Sequence, residues 1–192
     1  KKMIIVLITF FAFSATSLNA QLTDVVNFTA NLASAYLITV QDGNNQVADF
    51  LTAADYNNGV FEGAGITSGI STVTMEATGN WNVQIRAADF ENAGATEFIP
   101  IGNLGCWLVA TGAHQFGTEV LCPHIDAATT YSLTNADYTI IDLGPDPSGN
   151  GGDATDNEFE FHWRMGTPEI ATIMGGTMFD QLANGDFIAP ET

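Results

Sequence analysis

Apolar and polar residues alternate with a period of two in several short runs after residue 25. Such alternation gives a strand one face toward a core and one toward water, as in half-buried antiparallel strands. The alternating or strand-like runs cover residues 26–32, 36–41, 72–78, 81–86, 106–110, 119–122, 138–143 and 158–164. Many short strands separated by Gly- and Asn-rich turns predict an all-β chain, folded as an antiparallel two-sheet sandwich of immunoglobulin-like or jelly-roll-like type.

The segments between these runs predict one domain, residues 21–192. Thr78-Gly79-Asn80 lies between two alternating runs and predicts a hairpin turn. Residues 49–56 fit a short helix or a bulged strand, and no longer helical pattern is present. Residues 144–157 contain one apolar residue, Ala154, and predict a long acidic surface loop.

The N-terminal residues have the layout of a secretory signal peptide. Lys1 and Lys2 precede an apolar run, and small and polar residues follow up to Ala20. The run is shorter than the roughly 20 residues that span a bilayer. The sequence therefore predicts that residues 1–20 are removed and that the mature chain is exported to the cell surface without a membrane anchor. The alternative is a retained tail that anchors the chain or packs inside a filament.

The charge of the chain excludes one class of partner. Four basic residues stand against 22 acidic ones, and the net charge is −18. Nucleic-acid binding is not expected, because four basic residues are too few to form a basic patch. The acidity fits either solubility in a salty exterior or the binding of divalent cations.

Cys106 and Cys122 are the only two cysteines. In an exported chain an even count predicts a disulfide, which would stabilise a loop of this length by about 3 kcal/mol. Two alternatives remain open. The residues could be a pair of free buried thiols, or they could bind zinc together with His114 and His124, although this spacing matches no familiar zinc module.

Carboxylates are concentrated around the 144–157 segment. Calcium takes six to eight oxygen ligands from such loops, so the sequence indicates calcium as the one conceivable cofactor. The predicted ligands are Asp142, Asp146, Asp153, Asp156 and Glu158. Their spacing fits no EF-hand, and the alternative is a solvated, mobile acidic loop.

The sequence predicts no enzyme activity. It lacks a Gly-x-Ser-x-Gly elbow, a His-Glu-x-x-His motif and a phosphate-binding glycine loop. Glu158 and Glu160 would lie about 7 Å apart on one strand, which does not fit carboxylates opposed across a sugar. His162 alternates onto the polar face of the same strand and is expected to be solvated. Tyr56 and Phe61 are the aromatic residues expected to be exposed for a sugar.

The C-terminal pattern suggests an incomplete sheet. Asn184-Gly185 predicts a hairpin turn, but the returning residues 186–189 are stopped by Pro190. Truncation or processing of the chain would explain the short strand. A strand donated by a neighbouring copy would instead fill the gap, with residues 21–32 as the donor. The predicted donor side chains are Val26, Phe28, Ala30 and Leu32, and the alternative is an ordinary self-paired sandwich.

Four further stretches share a pattern: Ala20-Gln21, residues 52–60, residues 79–85 and Gly185-Asp186-Phe187. Together they resemble a loose group of small secreted β-sandwich surface proteins of Gram-negative bacteria, which are pilin- or adhesin-like. The resemblance implies a structural subunit of an extracellular filament, pilus or surface layer, with further copies of itself as partner. The alternative is a monomeric adhesin module that binds surface glycans or depends on calcium. The resemblance brings no catalytic residues, and it includes neither the cysteine pair nor the 144–157 loop.

Overall fold

The computed structural model describes residues 26–29, 36–88, 90 and 99–186, and its fold is mostly β. The strands are β1 (Val26–Thr29), β2 (Tyr36–Asp42), β3 (Val47–Ala48), β4 (Val60–Glu62), β5 (Gly65–Thr67), β6 (Ile70–Ala77), β7 (Val83–Ala87), β8 (Leu104–Ala110), β9 (Val120–Leu121), β10 (Tyr131–Ser132), β11 (Tyr138–Leu143) and β12 (Glu158–Met165). The helices are α1 (Ala53–Asn58), α2 (Pro168–Met174) and α3 (Met178–Asn184). Residues 53–58 therefore take the helical alternative for the 49–56 segment, and Thr52 caps this helix.

The strands form a large curled sheet and a small one. The large sheet has the order β10-β8-β12-β4-β5-β3, and β6 joins β12 to β2. The small sheet has the order β1-β7-β11-β9 and is antiparallel throughout. Buried side chains of both sheets belong to one hydrophobic core.

Strand β12 shows why the period of two predicts the fold well. Phe159, Phe161, Trp163 and Met165 are each at most 2% exposed, and the residues between them are half-buried. The strand pairs with β8 along one side and with β6 and β4 along the other. The most regular alternation in the sequence thus occupies the centre of the large sheet.

The predicted purely antiparallel pairing is wrong at one place. β4 and β5 pair in parallel, through Phe61 with Gly65 and Glu62 with Ile66, so the large sheet is mixed. Gly63, in the connection between them, and Gly65, the first residue of β5, have φ values of +72° and +91°. Glycine adopts this left-handed conformation without steric cost, so the chain can turn within the short connection between β4 and β5.

The predicted hairpin at Thr78-Gly79-Asn80 is also wrong. β6 before it belongs to the large sheet and β7 after it to the small one, so the turn is a corner between sheets. Asn150 holds this corner from the 144–157 loop: its side chain accepts from the backbone N–H of Trp81 at 3.0 Å and donates to the carbonyl of Trp81 at 2.9 Å. Asn150 is 0% exposed, so the acidic loop is anchored in the core at this point.

The prediction of a hairpin turn at Asn184-Gly185 is wrong, because this dipeptide ends a helix. α3 ends at Asn184, and Gly185 has a φ of 80° and closes the helix. A type I′ turn and a helix C-terminus both need a positive φ, so this dipeptide fits either. Asn103 and Gln181 fix α3 through two reciprocal side-chain amide hydrogen bonds of 2.8 and 2.9 Å. Of the predicted returning strand, residues 186–189, all but Asp186 lie outside the described residues.

Candidate assembly edges and polar face

The first part of the predicted donor segment is an edge strand of the small sheet. β1 pairs antiparallel with β7, which places Val26 opposite Ala87 and Phe28 opposite Ile85. Val26 and Phe28 are thus paired within their own chain, and Ala30 and Leu32 lie outside the described residues. Donation of this segment to another copy stays a prediction.

Strand β2 forms an edge of the large sheet. Among the described residues this seven-residue strand pairs with β6 alone. Tyr36, Ile38 and Val40 pack half-buried against the core, whereas Leu37 is 54% exposed on the other face. β2 contains neither Lys nor Pro, the residues that commonly protect an edge from pairing. Among the described residues, the side of β2 away from β6 therefore has no strand partner.

An open cavity of about 540 Å³ lies at one end of this edge, and Tyr36 and Leu37 form part of its wall. Glu76 and Ala77 of β6, Thr78, and Gly152 and Asp153 of the acidic loop complete the wall. The cavity therefore joins the start of β2 to the corner between the two sheets.

The polar face of β12 contains an enclosed histidine. The ring of His162 stacks on Trp107 with centroids 4.1 Å apart. Its Nδ1 lies 3.3 Å from Glu62 and its Nε2 lies 3.4 Å from Glu160. The side chain is 14% exposed, so the expectation of a solvated surface histidine is wrong. A neighbouring strand supplies the covering ring, and the local sequence gives no sign of it.

Arg164 continues this face beyond His162. Its guanidinium lies 3.1 Å from Glu169 and 5.4 Å from the ring centroid of Phe61. Burial raises the pKa of Glu169, but the hydrogen bond from its own backbone, together with the charge of Arg164, outweighs burial and lowers that pKa. Phe61 is exposed as expected from the sequence, at 40%, whereas Tyr56 packs half-buried against the core.

Cys106 and Cys122 are both free thiols in the structure, one buried and one half-buried. Burial raises the pKa of both, and the charge of Cys122 adds to the rise at Cys106, so the two residues lie near each other. Cys122 accepts a hydrogen bond at 3.4 Å from the backbone N–H of His124. The disulfide stays a prediction.

The histidines of the zinc alternative have other partners. A ring nitrogen of His124 lies 2.9 Å from the hydroxyl of Tyr138, and one of His114 lies 2.8 Å from the side-chain oxygen of Asn157. Within the described part of the chain, no three His, Cys, Asp or Glu side chains form a group that could hold a metal ion. The zinc alternative therefore has no support in the geometry.

Cys122 gives a measurable consequence of burial. Its pKa is raised from 9.0 to about 11, which reduces the thiolate population near pH 8 about 100-fold. We expect alkylation of reduced protein by iodoacetamide to be about 100-fold slower than for an exposed thiol introduced by Ala128→Cys. The rate should rise about tenfold per pH unit up to pH 9.5. A plateau near pH 9 would contradict the raised pKa.

The five predicted calcium ligands act mainly in local turns. Asp146 accepts hydrogen bonds from the N–H and hydroxyl of Ser148, at 2.8 and 2.5 Å, and these bonds lower its pKa. Asp153 accepts from Thr155 in the same way. The remaining three accept as follows: Asp142 from Leu143 N–H, Asp156 from Asp153 N–H, and Glu158 from Thr111. The described residues thus do not bring these carboxylates into one site.

No family model, curated protein or solved structure matches this chain. The resemblance to secreted surface proteins therefore depends on the sequence patterns alone. Among the described residues, no helix is both long and apolar enough to cross a membrane.

Proposed function

We propose that the protein is a structural subunit of an extracellular filament or surface layer, exported by residues 1–20, whose copies join by β-strand pairing. The observation that carries this proposal is the edge of β2, which pairs on one side only among the described residues. An added strand would bond to its backbone and cover the half-buried Tyr36, Ile38 and Val40. In this proposal the two sheets form a sandwich that a neighbouring copy extends.

The charge of the chain favours strand pairing over other modes of assembly. A net charge of −18 makes copies repel each other, and few cations are available for ion pairs between them. Hydrogen bonds between backbones involve no net charge, so they can join acidic copies. The acidic surfaces of the copies still repel each other. At 0.1 M salt this repulsion is largely screened between charges more than about 10 Å apart. Assembly should therefore increase with ionic strength.

Negative-stain electron microscopy and size-exclusion chromatography of the chain from Gln21 onward test the proposal. We expect regular fibres or large oligomers at 0.15 M salt. Leu37→Lys should abolish them, because a lysine on an edge strand opposes pairing, while the exposed position tolerates it in the monomer. Leu51→Lys is the matched control, since Leu51 is 84% exposed and lies outside every strand.

Two results would overturn the proposal. One is a monomer without fibres at every salt concentration. The other is assembly of Leu37→Lys to the same extent as Leu51→Lys, because the open edge of β2 would then have no part in it.

A second function, a glycan-binding adhesin module, is favoured by the polar face of β12. There Phe61 is exposed beside Glu62, and Trp107 and His162 form a stacked pair. Aromatic faces and fixed carboxylates are groups that bind sugars in concave sites. If this function holds, Phe61→Ala should abolish binding on a glycan array. The matched control is Phe179→Ala, because Phe179 is 43% exposed on α3.

A further inference from the structure

We infer that β2 pairs antiparallel with β2 of a second copy, about a two-fold axis beside Ile38. This inference rests on the proposed function and deepens it, because it identifies the partner as another copy of this chain and gives the register of the contact. In this register Ile38 lies opposite Ile38 of the second copy. The flanking pairs are Leu37 with Thr39 and Tyr36 with Val40.

The hydrogen bonds of β6 show which backbone groups of β2 point toward its open side. The N–H groups of Met75 and Ala77 donate, at 2.9 and 2.8 Å, to residues on the side of β6 opposite to β2. Opposite residues of an antiparallel pair either exchange both of their hydrogen bonds or exchange neither. The partners of Ala77 and Met75 on β2 therefore direct their N–H and C=O groups away from β6, and the next residue but one follows the same alternation. These outward residues are Tyr36, Ile38 and Val40.

The direction of these groups selects the register. In the pairing about Ile38, every outward residue lies opposite an outward residue of the second copy, so each of these pairs exchanges both hydrogen bonds. A shift of one residue would place outward groups opposite inward ones. Pairing about Leu37 would leave one outward residue beyond the end of the partner strand. Pairing about Thr39 would place one opposite Asp42, which follows a register shift and is out of the alternation.

The length and the faces of β2 favour a second β2 as its partner. Among the described residues, the other strands at the ends of the two sheets are shorter: β1 has four residues, and β3, β9 and β10 have two each. A seven-residue edge is therefore covered most completely by its own copy. The pairing also joins like faces, because the half-buried outward residues meet on the core side and Leu37 meets Thr39 on the other side.

The charges near β2 favour the antiparallel direction. Asp42 is the one charged residue of this strand. It lies four residues from the axis in each copy, so eight steps of about 3.4 Å place the two carboxylates about 27 Å apart, whereas parallel pairing would bring them to about 5 Å. Glu76 lies opposite Leu37 on β6, and three strand spacings, about 14 Å, separate it from Glu76 of the second copy. Both separations exceed the roughly 10 Å over which charges interact at 0.1 M salt.

The contact has a consequence for the assembly. A two-fold contact uses the same surface in both copies and closes on itself as a pair. The pair is then the repeating unit of the proposed filament or surface layer, and a different surface joins one pair to the next.

Disulfide trapping between single variants tests the inference. Leu37→Cys and Thr39→Cys are mixed at about 0.5 M salt, where repulsion between copies is screened, and oxidised. In the inferred register these positions form a non-hydrogen-bonded pair with Cα atoms about 4.5 Å apart, which suits a disulfide. Peptide mapping identifies the joined thiols. We expect at least tenfold more of this crosslink than of the one between Leu37→Cys and Gln41→Cys, the matched control, whose positions lie opposite each other only in the pairing about Thr39.

Each outcome bears on the inference or on the proposed function separately. A dominant crosslink between positions 37 and 41 would overturn the inferred register. Fibres with neither crosslink would overturn the inference and leave the proposed function in place. Crosslinked pairs without fibres would uphold the inference, and in that case the proposed filament fails. A protein that stays monomeric and uncrosslinked would overturn both.

Discussion

Replacing Gly59 with alanine is expected to lower the free energy of unfolding by about 3–5 kcal/mol. Gly59 ends α1 with φ 73° and ψ 177°, a conformation that is nearly restricted to glycine. A methyl group there would lie 2.5 Å from the carbonyl oxygen of Met165 and closer still to backbone atoms of Gly166 and Thr167. These atoms link β12 to α2, so neither side can move aside without disturbing the large sheet.

Gly63→Ala is the matched control for this prediction. Gly63 has a φ of 72°, almost the same as that of Gly59, but no atom lies within 4 Å of the position of a methyl group. Its replacement should cost only the backbone strain, about 1–2 kcal/mol. Urea denaturation followed by circular dichroism measures both variants. Equal losses would show that the contact of Gly59 with the end of β12 has no energetic effect.

The positions of the strands could be predicted because the alternation is a direct record of burial. β12 and β7 show this most clearly, since the buried residues of each strand are its apolar residues. β2, β8 and β11 also lie within two residues of the predicted runs. A strand with one face in the core has an apolar residue at every second position, and this pattern can be recognised without knowledge of any tertiary contact.

The partners of each strand could not be predicted in the same way. Thr78-Gly79-Asn80 specifies a turn, but these residues do not determine whether the next strand joins the same sheet or another one. Asn184-Gly185 likewise specifies a positive φ and not the element that precedes it. Turn residues determine local dihedral angles, whereas pairing depends on residues far away in sequence.

The environment of the polar residues was predictable only in part. His162 is covered by Trp107, which lies on β8 more than fifty residues earlier in the chain. The carboxylates of the acidic loop bond mostly to residues within three positions, which is the ordinary role of Asp in turns. The number of acidic residues in that loop therefore does not by itself indicate a metal ion.

Asn150 is the position in the acidic loop where the largest effect is expected. Asn150→Ala would leave the backbone N–H and carbonyl of Trp81 without their hydrogen-bond partners in a buried place. Each unpaired buried group costs about 1–3 kcal/mol, so we expect a loss of about 3–5 kcal/mol when the cavity is included. The indole of Trp81 also donates to the carbonyl of Asn150, so the fluorescence and near-ultraviolet dichroism of Trp81 should change.

Asn150→Asp separates the two hydrogen bonds. Aspartate still accepts from the N–H of Trp81, but it cannot donate to the carbonyl, and its charge would be buried. It should therefore destabilise the protein at pH 7 and recover part of the loss as the carboxyl is protonated. Asn135→Ala, at an exposed position, should change stability by less than about 0.5 kcal/mol. If Asn150→Ala resembles Asn135→Ala, the acidic loop does not hold the corner between the two sheets.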